Sequence, residues 1–438
     1  MEAPYRLEKL NRLSAIKTTR DILPLSNAQF PGTHCPLFGV ALTTWNLQGL
    51  AVLVLGTEEC AYYTKNFVLM RARGDAAAGP DNVFSACLNQ HDVIFGCRDE
   101  LDQALLEIDR EWAPEAILVV STCIPELTGE DLEGALEICQ AKTRAKLLLV
   151  KTDHFSCKNH IPGIERALEA LAGLMEAQPL RKNTVNLLGQ RYRSLGETEL
   201  VGNLRRHGIE VHLTLPCSGS VQTIRCAPAA ALNIVTDHTG LALAQRMKER
   251  FGRDYVLFQR YADPERIAAA YRAIAAALRI DLEEEIARGR REVAEAIAEY
   301  GTGLAGTTFI YGNSPLPPFE LAGFLAGLGM TPLLIQAREL YPGDETDCAA
   351  LLTAGFDPYV TRVANIAPLR TIYGQLSPDF YIGHESPERL ARHGVRQVML
   401  DRVAAKIGFE VTANLTRILG ESALKPAAAG KEQRHAAV

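Results

Sequence analysis

Nine short apolar runs recur along the chain with amphipathic, helix-like stretches between them: "LAVLVLG" 50–56, "AILVVST" 116–122, "AKLLLVKT" 145–152, "NTVNLLG" 183–189, "IEVHLTL" 209–215, "ALNIVT" 231–236, "TTFIYG" 307–312, "TPLLIQ" 331–336 and "DFYIGH" 379–384. They are rich in aliphatic and β-branched residues and do not alternate apolar with polar. That pattern predicts strands buried on both faces, as in parallel sheets covered by helices. The alternation makes the fold class α/β. Nine strands are too many for one sheet of usual size, and Pro, Gly and charge punctuation at "EAQPLRKN" 176–183 and before "AEYGTGLAGTT" 298–308 sorts them into three groups. The expectation is three Rossmann-like domains over 1–180, 181–297 and 298–423, each a mostly parallel sheet with helices on both faces, and a disordered tail over 424–438. The stretch 264–300 has apolar residues at helical spacing and predicts one long scaffold helix between the second and third domains.

A length of 438 residues also favours more than one core. With 47% hydrophobic and 22% charged residues, the composition is that of a globular protein. A net charge of -6 without a long basic run argues against nucleic acid as the partner. No apolar run approaches the roughly 20 residues that span a bilayer, so no membrane partner is expected. The first residues, "MEAPYRLEKLNRLSAIKTTRD", lack the apolar centre of a signal peptide, which predicts a cytoplasmic protein. In that reducing compartment the ten cysteines are left with packing, metal ligation or catalysis as roles.

Position sorts them. In open α/β sheets, ligands gather at the carboxyl ends of strands. Cys60 follows "AVLVLG" and the turn "TEE", Cys123 follows "AILVVST", and Cys35 sits in the Pro- and Gly-containing loop "FPGTHCPLFG" ahead of a helix. Three thiols on loops at one end of one domain can converge on a single object. Without a C-x-x-C pair they do not resemble a zinc ribbon. Iron–sulfur clusters are less strict about local spacing, and three cysteines leave a [4Fe-4S] cube one ligand short, to be supplied by another subunit, another residue type or solvent, which suggests an interface. Spacing alone leaves two readings open, metal ligation and buried core thiols. Cys139 and Cys348 read as core residues. Cys157 and Cys217 follow strands and are second-rank site candidates, while Cys87, Cys97 and Cys226 carry no stronger signal. His34, His91 and His154 lie near cysteine loops and read as loop histidines, with hydrogen bonding to a cluster as their sharper role.

Several chemistries are absent from the sequence. There is no G-x-x-x-x-G-K-[ST], so the chain should not itself hydrolyse ATP. "GTGLAG" precedes a strand instead of following one, the wrong order for a dinucleotide site. "GNSPLPPFELAGFL" joins a strand end to a helix start and could line a cleft, or be an ordinary turn. Neither G-x-S-x-G nor H-E-x-x-H occurs.

The segments "HCPLFGVAL", "GTEECAYYTKNF", "HDVIFGCRDELDQAL" and "VVSTCIPELTGEDLEG", with weaker ones such as "VNLLG" and "SPDFYIGHESPERLARHGV", stand in the order of the nitrogenase component 1 family. The chain resembles that family over roughly residues 30 to 420, most of all its β-type subunits and those of nitrogenase-like reductases such as methylthio-alkane reductase. The resemblance implies that Cys35, Cys60 and Cys123 hold an interfacial iron–sulfur cluster, either [4Fe-4S] or an [8Fe-7S] P-cluster. It also implies two partners: an α-type nitrogenase-like subunit or a second copy of this chain, and a separate ATP-hydrolysing iron protein. Where the dinitrogenase α subunit has a cofactor-binding cysteine, "LNIVTDH" has Asp237, and where it has a cofactor-binding histidine, "VRQVMLD" has Leu400.

The function expected on these grounds is that of an oxidoreductase subunit, relaying low-potential electrons from the iron protein through its cluster to a substrate-reducing site. The alternatives are a cofactor-assembly scaffold or a tetrapyrrole reductase subunit.

Overall fold

In the computed structural model, which describes residues 7–26, 30–31, 34–72, 82–190, 198–365 and 367–424, each of the nine apolar runs contributes a strand. The chain forms two compact units, His34–Arg193 with Arg205–Leu257, and Met1–Thr33 with Ser194–Leu204 and Phe258–Val438. Among the described residues no helix is long and apolar enough to cross a membrane. The expected tail, from 425 onward, lies outside the described residues.

The first of these units contains two parallel sheets. Strands β1 (Leu50–Gly56), β2 (Val83–Cys87), β3 (Ala116–Ser121) and β4 (Lys146–Lys151) make one in the order β2-β1-β3-β4. Strands β5 (Arg181–Gln190), β6 (Glu210–Pro216), β7 (Ala230–Val235) and β8 (Tyr255–Leu257) make the other in the order β8-β7-β5-β6. Every residue of β1 and β3 is buried, which is why their sequences carry no polar alternation. Edge strands β2 and β8 are partly exposed and short, so the sequence does not announce them.

Helix α1 (Pro36–Thr44) crosses a later helix, Ile161–Ala170, with backbones in contact. A Cβ on Gly39 would lie 2.0 Å from the His160 carbonyl oxygen, and one on Gly163 would lie 1.9 Å from that of Pro36. Only glycine at both positions allows this approach. The crossing fixes the start of α1, where Pro36 occupies the first turn and Cys35 is the capping residue.

The second unit holds a six-membered sheet built on β9 (Thr308–Tyr311), β10 (Thr331–Ala337), β11 (Tyr359–Arg362), β12 (Phe380–Ile382) and β13 (Arg396–Val398), parallel in the order β11-β10-β9-β12-β13. Asn11–Arg12 adds to the β11 edge antiparallel, and Leu13, Ile16, Ile22 and Leu25 nearby are buried. The single helix expected over 264–300 is two, Pro264–Leu278 and Glu283–Tyr300, both in this unit. Arg279 takes a left-handed conformation (φ 57°) that ends the first, and the Asp281 carboxylate accepts from Glu283 N at 3.0 Å to start the second. Apolar periodicity runs through the break because Leu282 turns into the core, so the pattern alone hides the corner.

Two helices of this unit cap each other. Glu199 N donates to Glu410 Oε1 (2.7 Å), Glu410 N donates to Glu199 Oε2 (2.9 Å), and Tyr271 OH donates to Glu199 Oε1 (2.8 Å). Burial, with the Glu410 charge adding to it, pushes the Glu199 carboxyl up to about 7.

Two predictions follow from these contacts. Gly163→Ala drives a Cβ into the Pro36 carbonyl; overpacking of this kind costs about 3 kcal/mol and should lower the thermal midpoint of the unit carrying Cys35 by roughly 6–12 °C, read by calorimetry. A carboxyl whose folded value is raised stabilises the fold fully below its ordinary 4.5 and loses that contribution as pH climbs through about 7. Glu199→Gln keeps an acceptor for Tyr271 and carries no charge. It should raise the midpoint at pH 8 by roughly 2–6 °C and leave it nearly unchanged at pH 5, measured by thermal melts at both pH values.

Candidate functional site

The three cysteines singled out by position all occur where a helix begins. Strand β1 ends at Gly56, and Cys60 falls in the first turn of α2 (Glu58–Ala72), its carbonyl accepting from Thr64 Oγ1 at 2.8 Å. The Thr57 hydroxyl sits 3.8 Å from the Cys60 sulfur. Cys123 is the first residue of Cys123–Thr128, directly after β3. Thr122 ties the two strand ends together: its N and Oγ1 both donate to Leu55 O, at 3.1 and 2.9 Å. A Cβ on Gly56 would lie 2.4 Å from Thr122 Oγ1, so glycine is needed for this approach. Cys35 caps α1 in an extended conformation, and its carbonyl accepts from Phe38 N at 3.1 Å.

All three thiols are partly buried. Burial pushes Cys35 up from its ordinary value, and the neighbouring Cys60 adds to the shift. Burial likewise raises Cys123, with Cys60 and then Cys35 contributing. The sulfurs are therefore within electrostatic reach of one another. Among the described residues, however, no three or more His, Cys, Asp or Glu side chains close on a position that would hold a single metal ion.

Aromatic and acidic groups brace the loops. The ring of His34 stacks on Phe38 with centroids 4.0 Å apart, and its Nδ1 lies 2.6 Å from Tyr63 OH. Burial, then the nearby Cys35, pushes the Tyr63 phenol up to about 12. His160 meets Phe38 edge-on at 5.5 Å, joining the Gly39–Gly163 crossing to this cluster. Glu126 accepts from Ser121 Oγ, Thr152 N (2.5 Å), Thr152 Oγ1 (3.2 Å) and His154 N (3.3 Å), so one carboxylate straps the ends of β3 and β4 together. The sequence gives Glu126 no marker beyond its place in "CIPELTGED".

The other cysteines separate by environment. Cys139 and Cys348 are buried, as their helical positions suggested, and burial with Asp344 and other acids pushes Cys348 up to about 12. Cys97 is buried and raised to about 11 by burial and then Glu130. Cys217 is also buried and Cys226 half-buried, while Cys87 is exposed beside Ser85 at 3.4 Å. The sulfur of Cys157 lies 3.4 Å from Arg166 Nη1. His154 adjoins Phe155, and His91 packs on Phe95 with centroids 4.8 Å apart.

The positions where a cofactor cysteine and histidine were sought are otherwise engaged. Asp237 is 7% exposed, and its Oδ1 accepts from Thr239 N (3.1 Å) and Thr239 Oγ1 (2.8 Å). Leu400 is 1% exposed in the core of the other unit. The turn "GNSPLPP" is closed by Tyr311 OH donating to Ser314 O (3.2 Å) and Leu316 O.

Large apolar side chains remain in solvent on the unit that carries the cysteines: Tyr62 71%, Ile94 71%, Phe95 75% and Leu127 69% exposed. Tyr62 is two residues from Cys60. Ile94 and Phe95 lie on Gln90–Phe95, which packs against the helix Cys123–Thr128 bearing Leu127. Sequence reasoning did not single out this patch, since an apolar residue on a short helix normally reads as core.

Comparison with known proteins agrees with this architecture. NifE of Methanococcus maripaludis, a nitrogenase iron-molybdenum cofactor biosynthesis protein, is 22% identical over 406 residues, covering 90% of this chain and 83% of that protein. NifE of Clostridium pasteurianum is 33% identical over 211 residues, 47% of this chain and 45% of its own. The solved structure "Nitrogenase Cp1 at pH 6.5" superposes with a TM-score of 0.77 at 14% identity, covering 93% of this chain and 96% of that one, which establishes a shared fold. The family model described as nitrogenase component 1 type oxidoreductase matches residues 35–420, so the chain belongs to that family.

Proposed function

We propose that this chain is a cofactor-assembly subunit of the nitrogenase-like class, holding an iron–sulfur cluster at an interface with a second subunit. The observation that carries the reading is the set of three half-buried thiols, Cys35, Cys60 and Cys123, at one end of one sheet and within electrostatic reach of each other. Thiols that feel one another yet do not close on one ion's position suit a polynuclear cluster, whose irons each take their own cysteine, better than a single zinc. When bound, such a cluster supplies low-potential, one-electron redox chemistry. The chain's own part is to present three thiolates, shield them by burial and offer the Thr57 hydroxyl toward the Cys60 sulfur.

Three ligands call for a fourth from outside. An exposed apolar patch near the cysteine helices is what a partner would cover. That partner is an α-type nitrogenase-like subunit or a second copy of this chain, and an ATP-hydrolysing iron protein would act as reductase. The assembly reading rests on likeness to NifE over most of the chain and on the residue types at 237 and 400, an aspartate and a leucine where a dinitrogenase α subunit has a cysteine and a histidine for its cofactor.

Anaerobically purified complex should contain iron and sulfide, and Cys60→Ala or Cys123→Ala should remove most of both; iron content unchanged by either would sink the ligand assignment. Stoichiometric transfer of a cluster to an apo-protein is the expected behaviour. Catalytic consumption of electrons with the iron protein, dithionite and MgATP would instead make the chain a reductase subunit. Phe95→Asp should weaken subunit association at least ten-fold, a burial effect of about 1.5–3 kcal/mol, followed by sedimentation velocity.

A further inference from the structure

In the unit that carries the cysteines, a cavity of about 370 Å³ opens beside the end of β4, between helix Ile161–Ala170 and helix Leu241–Phe251. This falls within the roughly 300–1,000 Å³ of small-molecule sites. Four cations, Lys151, Arg166, Arg246 and Arg250, line it against two carboxylates, Asp153 and Glu169. That balance runs against a chain whose net charge is -6. Arg246 and Arg250 are one helical turn apart and so share one face of that helix.

The guanidiniums are held but not saturated. Arg166 Nη2 lies 3.0 Å from Asp153 Oδ2, and its Nη1 donates to Thr152 O at 2.5 Å. Arg246 Nε donates to Glu169 Oε1 at 2.6 Å, and Arg250 Nη1 donates to Ala172 O at 2.6 Å. Among the described residues these contacts leave both terminal nitrogens of Arg246, and Nε and Nη2 of Arg250, without a hydrogen-bond acceptor. Anchored forks with spare donors are preorganised for an anion. A planar carboxylate is satisfied by one fork, whereas guanidiniums converging from two helices match the several oxygens of phosphate groups.

We propose that this cavity binds a small molecule through its phosphate groups, either a free di- or polyphosphate or the phosphate tail of a nucleotide. The site is independent of the cysteine cluster and of the assembly reading. Its anions are gripped chiefly by Arg246 and Arg250, with Arg166 opposite.

Isothermal titration of the full-length protein with sodium pyrophosphate should give saturable 1:1 binding that weakens as salt rises. Arg246→Gln and Arg250→Gln should each weaken it about ten-fold or more, the loss of a charge-assisted hydrogen bond, while Cys60→Ala should leave it unchanged. Because Arg250 also holds the Ala172 carbonyl, the decisive variant is Arg246→Gln, which loses only a solvent-exposed bridge to Glu169: its melting temperature without ligand should fall by no more than about 4 °C, and its upward shift with pyrophosphate should vanish. ATP binding more tightly than pyrophosphate assigns the phosphates to a nucleotide, and equal affinity assigns them to a free anion; both uphold the site. No saturable pyrophosphate binding, affinity unaltered in Arg246→Gln, or tighter binding of citrate than of pyrophosphate overturns it.

Discussion

Backbone contact without an intervening side chain is the constraint on which the cysteine end of this protein depends. Gly39 and Gly163 let two helices touch main chain to main chain, and Gly56 lets the end of β1 meet Thr122. Each contact sets one of the loops that carry a thiol. Cys35 follows from the helix crossing, whereas Cys60 and Cys123 follow from the Thr122 bond to Leu55 O. At Gly39 and Gly163 an added Cβ would meet backbone, which no rotamer change relieves, whereas at Gly56 it would meet the Thr122 side chain that bonds Leu55 O. The position of the sulfurs is thus set by rigid elements and not by the sulfurs themselves, as a site for an inserted group requires.

Much of the architecture was legible because burial on both faces leaves a plain mark. A strand such as β3, sealed on every side, has to be apolar at every residue, and the sequence "AILVVST" says so. Edge strands escape this rule. Tyr255–Leu257 and Arg396–Val398 are short and half-exposed, and composition does not separate them from loops. The broken helix at Arg279 was hidden for the opposite reason: Leu282 keeps the apolar period going while the backbone turns a corner. The antiparallel addition of Asn11–Arg12 to β11 pairs residues about 350 positions apart, a contact that no local pattern encodes.

The site was legible in part, through the rule that strand ends collect function. That rule marked Cys60 and Cys123 among ten cysteines as candidates, and Cys35, in a loop ahead of a helix, joined them through the family resemblance. It could not find Glu126, whose four donors are spread over two strand ends, nor the pairing of His34 with Tyr63, since both depend on distant segments meeting. The electron-relay expectation came from resemblance to β-type subunits and not from that rule, whereas a relative matched along 90% of this chain is a NifE protein.

The chemistry of holding and of releasing a metal group pulls in different directions, and the residues divide along that line. Thiols on braced loops are held near one another before a cluster arrives, which favours tight binding, while burial raises Cys35 and Cys123 so that a cluster must displace their protons as it binds. A cluster held by Cys35, Cys60 and Cys123 would therefore be resident. Asp237 and Leu400 make the opposite provision. Asp237, in one unit, commits its Oδ1 to Thr239, and Leu400, in the other, carries no donor atom, so the two residues do not make the cysteine and histidine pair of a dinitrogenase α subunit.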